Sequence, residues 1–136
     1  LFENCVPILA VDFDGTITKG DFIDLDDPKA LAEGAAKIIN GWYNDGCIIT
    51  IWSCRSPLDG TMFKADKFLG EHGIKYHYLN ANVPWLPWVD SRKIFAHIYI
   101  DDKNLGGFPG WDEADKIVRS HPQYPKKGLR IADRSK

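Results

Sequence analysis

Three short stretches place carboxylates, a hydroxyl and basic groups where chemistry is feasible: Asp12-Phe13-Asp14-Gly15-Thr16, Ser53-Cys54-Arg55 and Asp101-Asp102-Lys103-Asn104. An acid inside an apolar run, followed two positions later by a second acid and then by glycine, has no evident structural need, because a buried unpaired charge is costly. Several carboxylates gathered at one place repel each other unless a cation neutralises them, and hard oxygen donors suit Mg²⁺. No His or Cys cluster accompanies them, and His72, His77, His97 and His121 lack metal-ligand spacing, which argues against zinc. A magnesium site beside a hydroxyl and a cation suits phosphoryl transfer, where positioning and charge neutralisation supply most of the rate.

The elements that must position these groups follow from pattern. Pro7 to Phe13 is an apolar run broken by Asp12, as expected of a strand buried on both faces. Asp27-Pro28 reads as an N-cap and first-turn proline, with Leu31, Ala35, Ile38, Ile39 and Trp42 at helical spacing and Asp45-Gly46 as the stop. Cys47 to Trp52 is a second strand, Thr61 to His72 a helix capped by Gly73, and Lys75 to Leu79 a third strand. A short helix over Ser91 to Ala96, a strand over His97 to Ile100 and a helix over Trp111 to Ser120 complete the pattern. Strands alternating with helices predict an α/β fold, a mainly parallel sheet covered on both faces. Ligands of such sheets bind beyond the carboxyl ends of the strands, where all three polar stretches fall. One domain over 1–136 is expected, with its core at about 7–121 and an irregular tail at 122–136 carrying at most an edge strand near Leu129 to Ile131.

Asp12-Phe13-Asp14-Gly15-Thr16 resembles the first motif of phosphatases of the haloacid dehalogenase-like (HAD) superfamily, an Asp-x-Asp-Gly-Thr at the end of the first strand. Ser53 after an apolar strand resembles the second motif, Lys93 is the best candidate for the third, and Asp101-Asp102 resembles the fourth. The resemblance runs from about Ile8 to Val118, and Ser91 to Trp111 resembles small capless members of bacterial and phage type. It implies a Rossmann-like three-layer α/β/α sandwich without a cap domain, because the intervals Thr16 to Asp27 and Asn80 to Ser91 are too short for one.

The same resemblance implies the roles. Asp12 attacks phosphorus and forms an aspartyl-phosphate, and Asp14 protonates the leaving oxygen and then deprotonates water. Asp12, Asp101 and the Asp14 carbonyl hold Mg²⁺, with Asp102 acting through water or a hydrogen bond. Ser53 and Lys93 hold the phosphoryl oxygens, Arg92 and Lys103 being neighbours able to replace Lys93. Gly15 permits the turn and exposes main-chain N–H groups, and Thr16 supports it. Apart from the resemblance, Arg55 lies two residues beyond Ser53 and joins the phosphate-binding set, its alternative being an ion pair with a surface carboxylate. The pair Trp85 and Trp88 around a proline is read from the sequence itself and expected over the carboxyl edge, as a lid or as a patch for the substrate or a partner chain.

Composition narrows the class further. With 44% hydrophobic and 26% charged residues and no biased tract, the chain reads as globular. A net charge of -2 leaves no strong footprint for nucleic acid, although a phosphate on a nucleotide or nucleic acid stays open as substrate beside small phosphomonoesters. Cys5, Cys47 and Cys54 lack paired spacing and read as free thiols, in keeping with the cytoplasm. No apolar run suits a membrane, no signal-peptide pattern stands at Leu1 to Asn4, and a homo-oligomer stays open. A receiver-type signalling domain also uses Mg²⁺ and an accepting aspartate, but after its third strand, where this chain has Leu79-Asn80. The other alternative is a HAD-like domain that binds phosphate or a partner without turnover.

Overall fold

The apolar run after Pro7 lacks the alternation of a half-exposed strand and becomes β1 (Ile8–Asp12), buried along its length until Asp12. The structure is a computed structural model that describes residues 6–126. Cys5 and the expected edge strand at Leu129 to Ile131 lie outside the described residues. In chain order β1 is followed by α1 (Ala35–Asp45), β2 (Ile48–Trp52), α2 (Thr61–Glu71), β3 (Tyr78–Leu79), β4 (Ile98–Ile100) and α3 (Trp111–Arg119). The strands lie in the order β3-β2-β1-β4, and every pairing is parallel. This is the expected Rossmann-like α/β architecture, with turns at 18–34 and an irregular segment at 80–97.

Side chains of successive strand residues point to opposite faces, and the two faces carry different covers. Leu9, Val11, Ile49, Ile51 and Ile100 pack beneath α1, α2 and α3 against Ile39, Trp42, Phe68, Leu69 and Val118. Ile8 and Ala10 meet Val83, Leu86, Ile94 and Ala96 of the segment 80–97. This second cover is an irregular strap, and the helix expected over Ser91 to Ala96 does not form. Its organiser is Asn82, whose Nδ2 donates toward the carbonyls of Val89 (3.4 Å), Ser91 (3.2 Å) and Lys93 (3.4 Å) while Oδ1 accepts the Phe95 N–H (2.7 Å). The two N–H groups of this buried amide are shared among three carbonyls, and these bonds stand where a helix ladder would.

The first helix also starts later than the Asp27-Pro28 signal suggests. Asp27 Oδ1 accepts the Lys29 N–H as an N-cap would, but the Ala32 N–H that would continue the helix donates instead to the Ile17 carbonyl at 2.8 Å. Leu31 bridges antiparallel to Thr18, and α1 begins only after Gly34 at φ 87°. No helix among the described residues is long and apolar enough to cross a membrane.

Two histidines fasten the sheet's amino edge in the same manner. His97 donates its N–H to the Ile8 carbonyl (2.8 Å) and accepts the Ile8 N–H at Nδ1 (2.9 Å). His77 does both with Ile49, at 2.8 and 3.0 Å. Each Nδ1 must be unprotonated to accept, and burial holds both imidazoles below the usual histidine range, aided at His97 by His121. With the folded values depressed, the unfolded chain binds protons first as pH falls below about 6.5, so stability drops on acidification. The melting temperature is therefore expected to fall between pH 7 and 5, and to fall less in a His77→Asn, His97→Asn variant, whose Oδ1 atoms accept without titrating. An unchanged slope would place the acid sensitivity elsewhere.

Candidate functional site

The strand register sets the site. Asp12 pairs with Trp52, so Ser53 stands one step beyond it on one side, and Val11 pairs with Ile100, so Asp101 stands beside Asp12 on the other. After Asp12 the chain makes one wide turn over Phe13–Ile17, closed by the Thr18 N–H on the Phe13 carbonyl at 3.1 Å. Thr16 stitches the edge together: its Oγ1 donates to Asp12 Oδ2 (3.0 Å) and accepts the Asp102 N–H (3.1 Å). Trp111 Nε1 donates to the Thr16 carbonyl (3.0 Å) and ties α3 to the same turn.

Gly15 sits at φ 84°, where an L side chain is strained, and a Cβ there would lie 2.4 Å from Asp102 Oδ2 and 2.8 Å from Asp21 Oδ1. Gly15→Ala is therefore expected to cost about 1–3 kcal/mol and to disturb the acidic cluster. A urea midpoint and a magnesium titration of the variant check both; wild-type values in each would mean that the turn yields freely.

Asp12, Asp101 and Asp102 each offer a carboxylate oxygen, all within 4.8 Å of one another. Burial raises the Asp12 carboxyl to about 8, and Asp101 and Asp102 push it the same way against the Thr16 hydrogen bond. Burial also pushes Asp102 up, but Lys103 beside it and hydrogen bonding with Asp12 outweigh this and hold it below the ordinary range. A bond between two carboxyls needs a proton on one of them. With both ionised, Asp102 Oδ1 is buried and has no donor among the described residues. An all-oxygen trio of mutually repelling acids, one oxygen orphaned, fits a hard divalent cation. The Asp14 carboxylate is not in this cluster.

Asp14 is committed elsewhere. Its oxygens accept from Arg55 Nε (2.9 Å) and Nη2 (2.7 Å), a bidentate pair with Asp14 7% and Arg55 6% exposed. The Phe22 N–H adds a third bond to Asp14 at 3.3 Å, and the Arg55 guanidinium lies between the Phe13 and Phe22 rings at 5.2 and 5.0 Å. Of the two readings of Arg55, the resting geometry shows the ion pair, with a buried carboxylate in place of a surface one.

Ser53 is held by its main chain: its N–H donates to Asn80 Oδ1 (2.7 Å) and its carbonyl accepts from Asn80 Nδ2 (2.9 Å). Its Oγ accepts the Arg55 N–H at 3.0 Å. Asn80 keeps φ at 53°, a conformation asparagine tolerates better than most residues.

Lys93 lies on the strap with Nζ 5.6 Å from the centre of the Tyr99 ring. The lysine at the acidic cluster is Lys103, whose Nζ is 2.9 Å from both Asp102 Oδ2 and Asp21 Oδ2. Those bonds, Asp102 first, raise the Lys103 ammonium above its usual range. Trp88 packs on Phe95, and Phe95 on His97, whose Nδ1 accepts the Ile8 N–H at the amino edge of the sheet. Sequence reasoning missed Asp21, Asn80 and Asn82; the turn chemistry of asparagine after Leu79 was the available signal for Asn80.

No protein-family model matches the chain, and no curated protein sequence does. Among solved structures, a conserved protein coded by a locus from Bacteroides thetaiotaomicron is similar at 24% identity and a TM-score of 0.64, over 94% of this chain and 96% of that one. A chain of the Pnkp1/Rnl/Hen1 RNA repair complex is similar at 18% identity and a TM-score of 0.49, over 88% of this chain but only 41% of its own length. At these identities the likeness that counts is the first, and it establishes that the α/β fold described above is shared along nearly the whole length of another natural protein.

Proposed function

We propose that the chain is a Mg²⁺-dependent phosphomonoester hydrolase of the HAD type that works through an aspartyl-phosphate on Asp12. The observation that carries this reading is the convergence of Asp12, Asp101 and Asp102 at the carboxyl edge, with a buried Asp102 oxygen lacking any donor among the described residues. Asp12, Asp101 and Asp102 would hold the ion, with the Asp14 carbonyl as a further candidate oxygen. A bound Mg²⁺ supplies charge neutralisation for the acids and for the phosphoryl oxygens.

The chain's own groups divide the remaining work. Thr16 fixes one Asp12 oxygen and leaves the other to attack phosphorus, the bond to the leaving oxygen breaking as the new one forms. Asp14 delivers a proton to that oxygen and later takes one from water, which requires it to give up a bond to Arg55. Ser53 Oγ and the N–H groups of the glycine turn hold the other phosphoryl oxygens. Lys103 is the better placed cation, so Lys103→Ala should reduce turnover roughly tenfold or more and Lys93→Ala much less, read as kcat/KM on one substrate. A larger loss at Lys93 would return the role to the strap.

The reading is tested by phosphate release from a phosphomonoester panel with Mg²⁺, with and without chelator. Release that depends on Mg²⁺ and disappears in Asp12→Asn is expected. Absence of release from every ester, with intact fold and Mg²⁺ binding, would leave a phosphate-binding domain without turnover.

A further inference from the structure

Beside Asp14 the fold encloses a cavity of about 400 Å³ between the turns after β1 and helix α2. Phe22, Ile23, Leu25 and Phe68 form the apolar part of its wall, and Arg55 and Thr61 stand beside them. Two wall residues touch Asp14 directly: Arg55 through both carboxylate oxygens, and Phe22 through its N–H. Asp14 does not itself line the cavity, which adjoins the group assigned to the leaving oxygen through Arg55 and Phe22. It is the neighbouring space into which a leaving group on that oxygen can extend.

Phe22 is the unusual member. It is an aromatic residue held at φ 49°, a left-handed conformation that bulky residues rarely adopt, and strain of this kind gathers at functional sites. The twist leaves its ring 60% exposed at the cavity mouth, with one face on the Arg55 guanidinium. A ring so fixed offers its free surface to a flat partner.

Charge restricts that partner. Arg55 is neutralised by Asp14, so the free charges of the wall are Lys64 and Lys67 against Asp24, Asp26 and Glu71, with Lys67 and Glu71 3.7 Å apart. Such a rim does not attract a polyanion. The volume falls within the range of small-ligand sites.

We propose that this cavity is the leaving-group subsite and that the preferred substrates are monophosphates of uncharged, ring-bearing alcohols, with Phe22 as the residue that selects them. The assignment rests on the hydrolase reading above and names its substrate class.

Benzyl and ethyl phosphate make the test, because both are phosphates of simple primary alcohols and differ chiefly in the ring. Phe22→Ala should raise KM for benzyl phosphate roughly three- to tenfold and change that for ethyl phosphate less than about twofold. A 5′-phosphorylated oligonucleotide should be a poorer substrate than benzyl phosphate. Equal changes for the two small esters, or a preference for the oligonucleotide, would overturn the proposal. Calorimetric titration with benzylphosphonate, which is not hydrolysed, separates the two readings. If no ester is turned over but this ligand binds wild type more tightly than Phe22→Ala, the subsite stands and the hydrolase reading falls. If both bind it equally, the subsite falls whatever the activity.

Discussion

Replacing Asp12 by asparagine is expected to abolish phosphate release and at the same time to make the metal-free protein more stable. The loss follows from chemistry: an amide is a poor nucleophile at phosphorus, and removing a nucleophile costs at least about 10⁴-fold in kcat. The stability gain follows from repulsion. Asp12 titrates near 8 in the folded chain because burial and Asp101 oppose its charge. Its folded value lies above its unfolded one, so between pH of about 4 and 8 the folded state binds more protons, and metal-free stability falls as pH rises. Asparagine removes that slope. At pH 8 the gain should be roughly 1–3 kcal/mol once solvent screening of this half-buried group is allowed for. Mg²⁺ should stabilise the wild type and have a weaker effect on the variant. Thermal melts at pH 5 and 8, with and without Mg²⁺, read all of this; a variant destabilised at pH 8 without metal would mean that the three acids do not repel as their spacing implies.

The second large effect is expected at Arg55, on stability. Arg55→Ala leaves the Asp14 carboxylate buried without its bidentate partner, and breaking a buried pair from one side costs about 3–5 kcal/mol. For a chain of this size the melting temperature should fall by roughly 10–20 °C. Adding Asp14→Asn to Arg55→Ala should restore part of the loss, because the uncompensated charge is then gone. The urea midpoints of the two single variants and the double variant form the cycle that checks it. Additive losses would show that Asp14 finds another partner or water when Arg55 is removed.

The sheet and the acidic cluster were legible because their causes are local. A short apolar run bounded by turn signals reads as a buried strand, and Asp12 and Asp101 stand at the ends of strands whose neighbours the alternation with helices already predicts. The start of α1 was misread because Asp27-Pro28 carries a real capping pattern, but Leu31 bridges to Thr18 and the Ala32 N–H goes to Ile17, which cuts the helix off there. The strap was misread because one amide, Asn82, replaces a helix with bonds reaching to Phe95. The pairing of Arg55 with Asp14 spans 41 positions, and no spacing rule reaches that far. Lys93 and Lys103 differ only in where the chain carries them, which is decided by packing beyond the strand ends.

Asn82 has a consequence for how the molecule opens. A helix frays turn by turn, but the strap's carbonyls at Val89, Ser91 and Lys93 and the Phe95 amide share one side chain, so they can be released in a single event. The segment 80–97 is thus built as one cooperative opening unit, and in hydrogen exchange the Phe95 amide should report the same opening free energy as the β1 residues Ile8 and Ala10 that the strap covers.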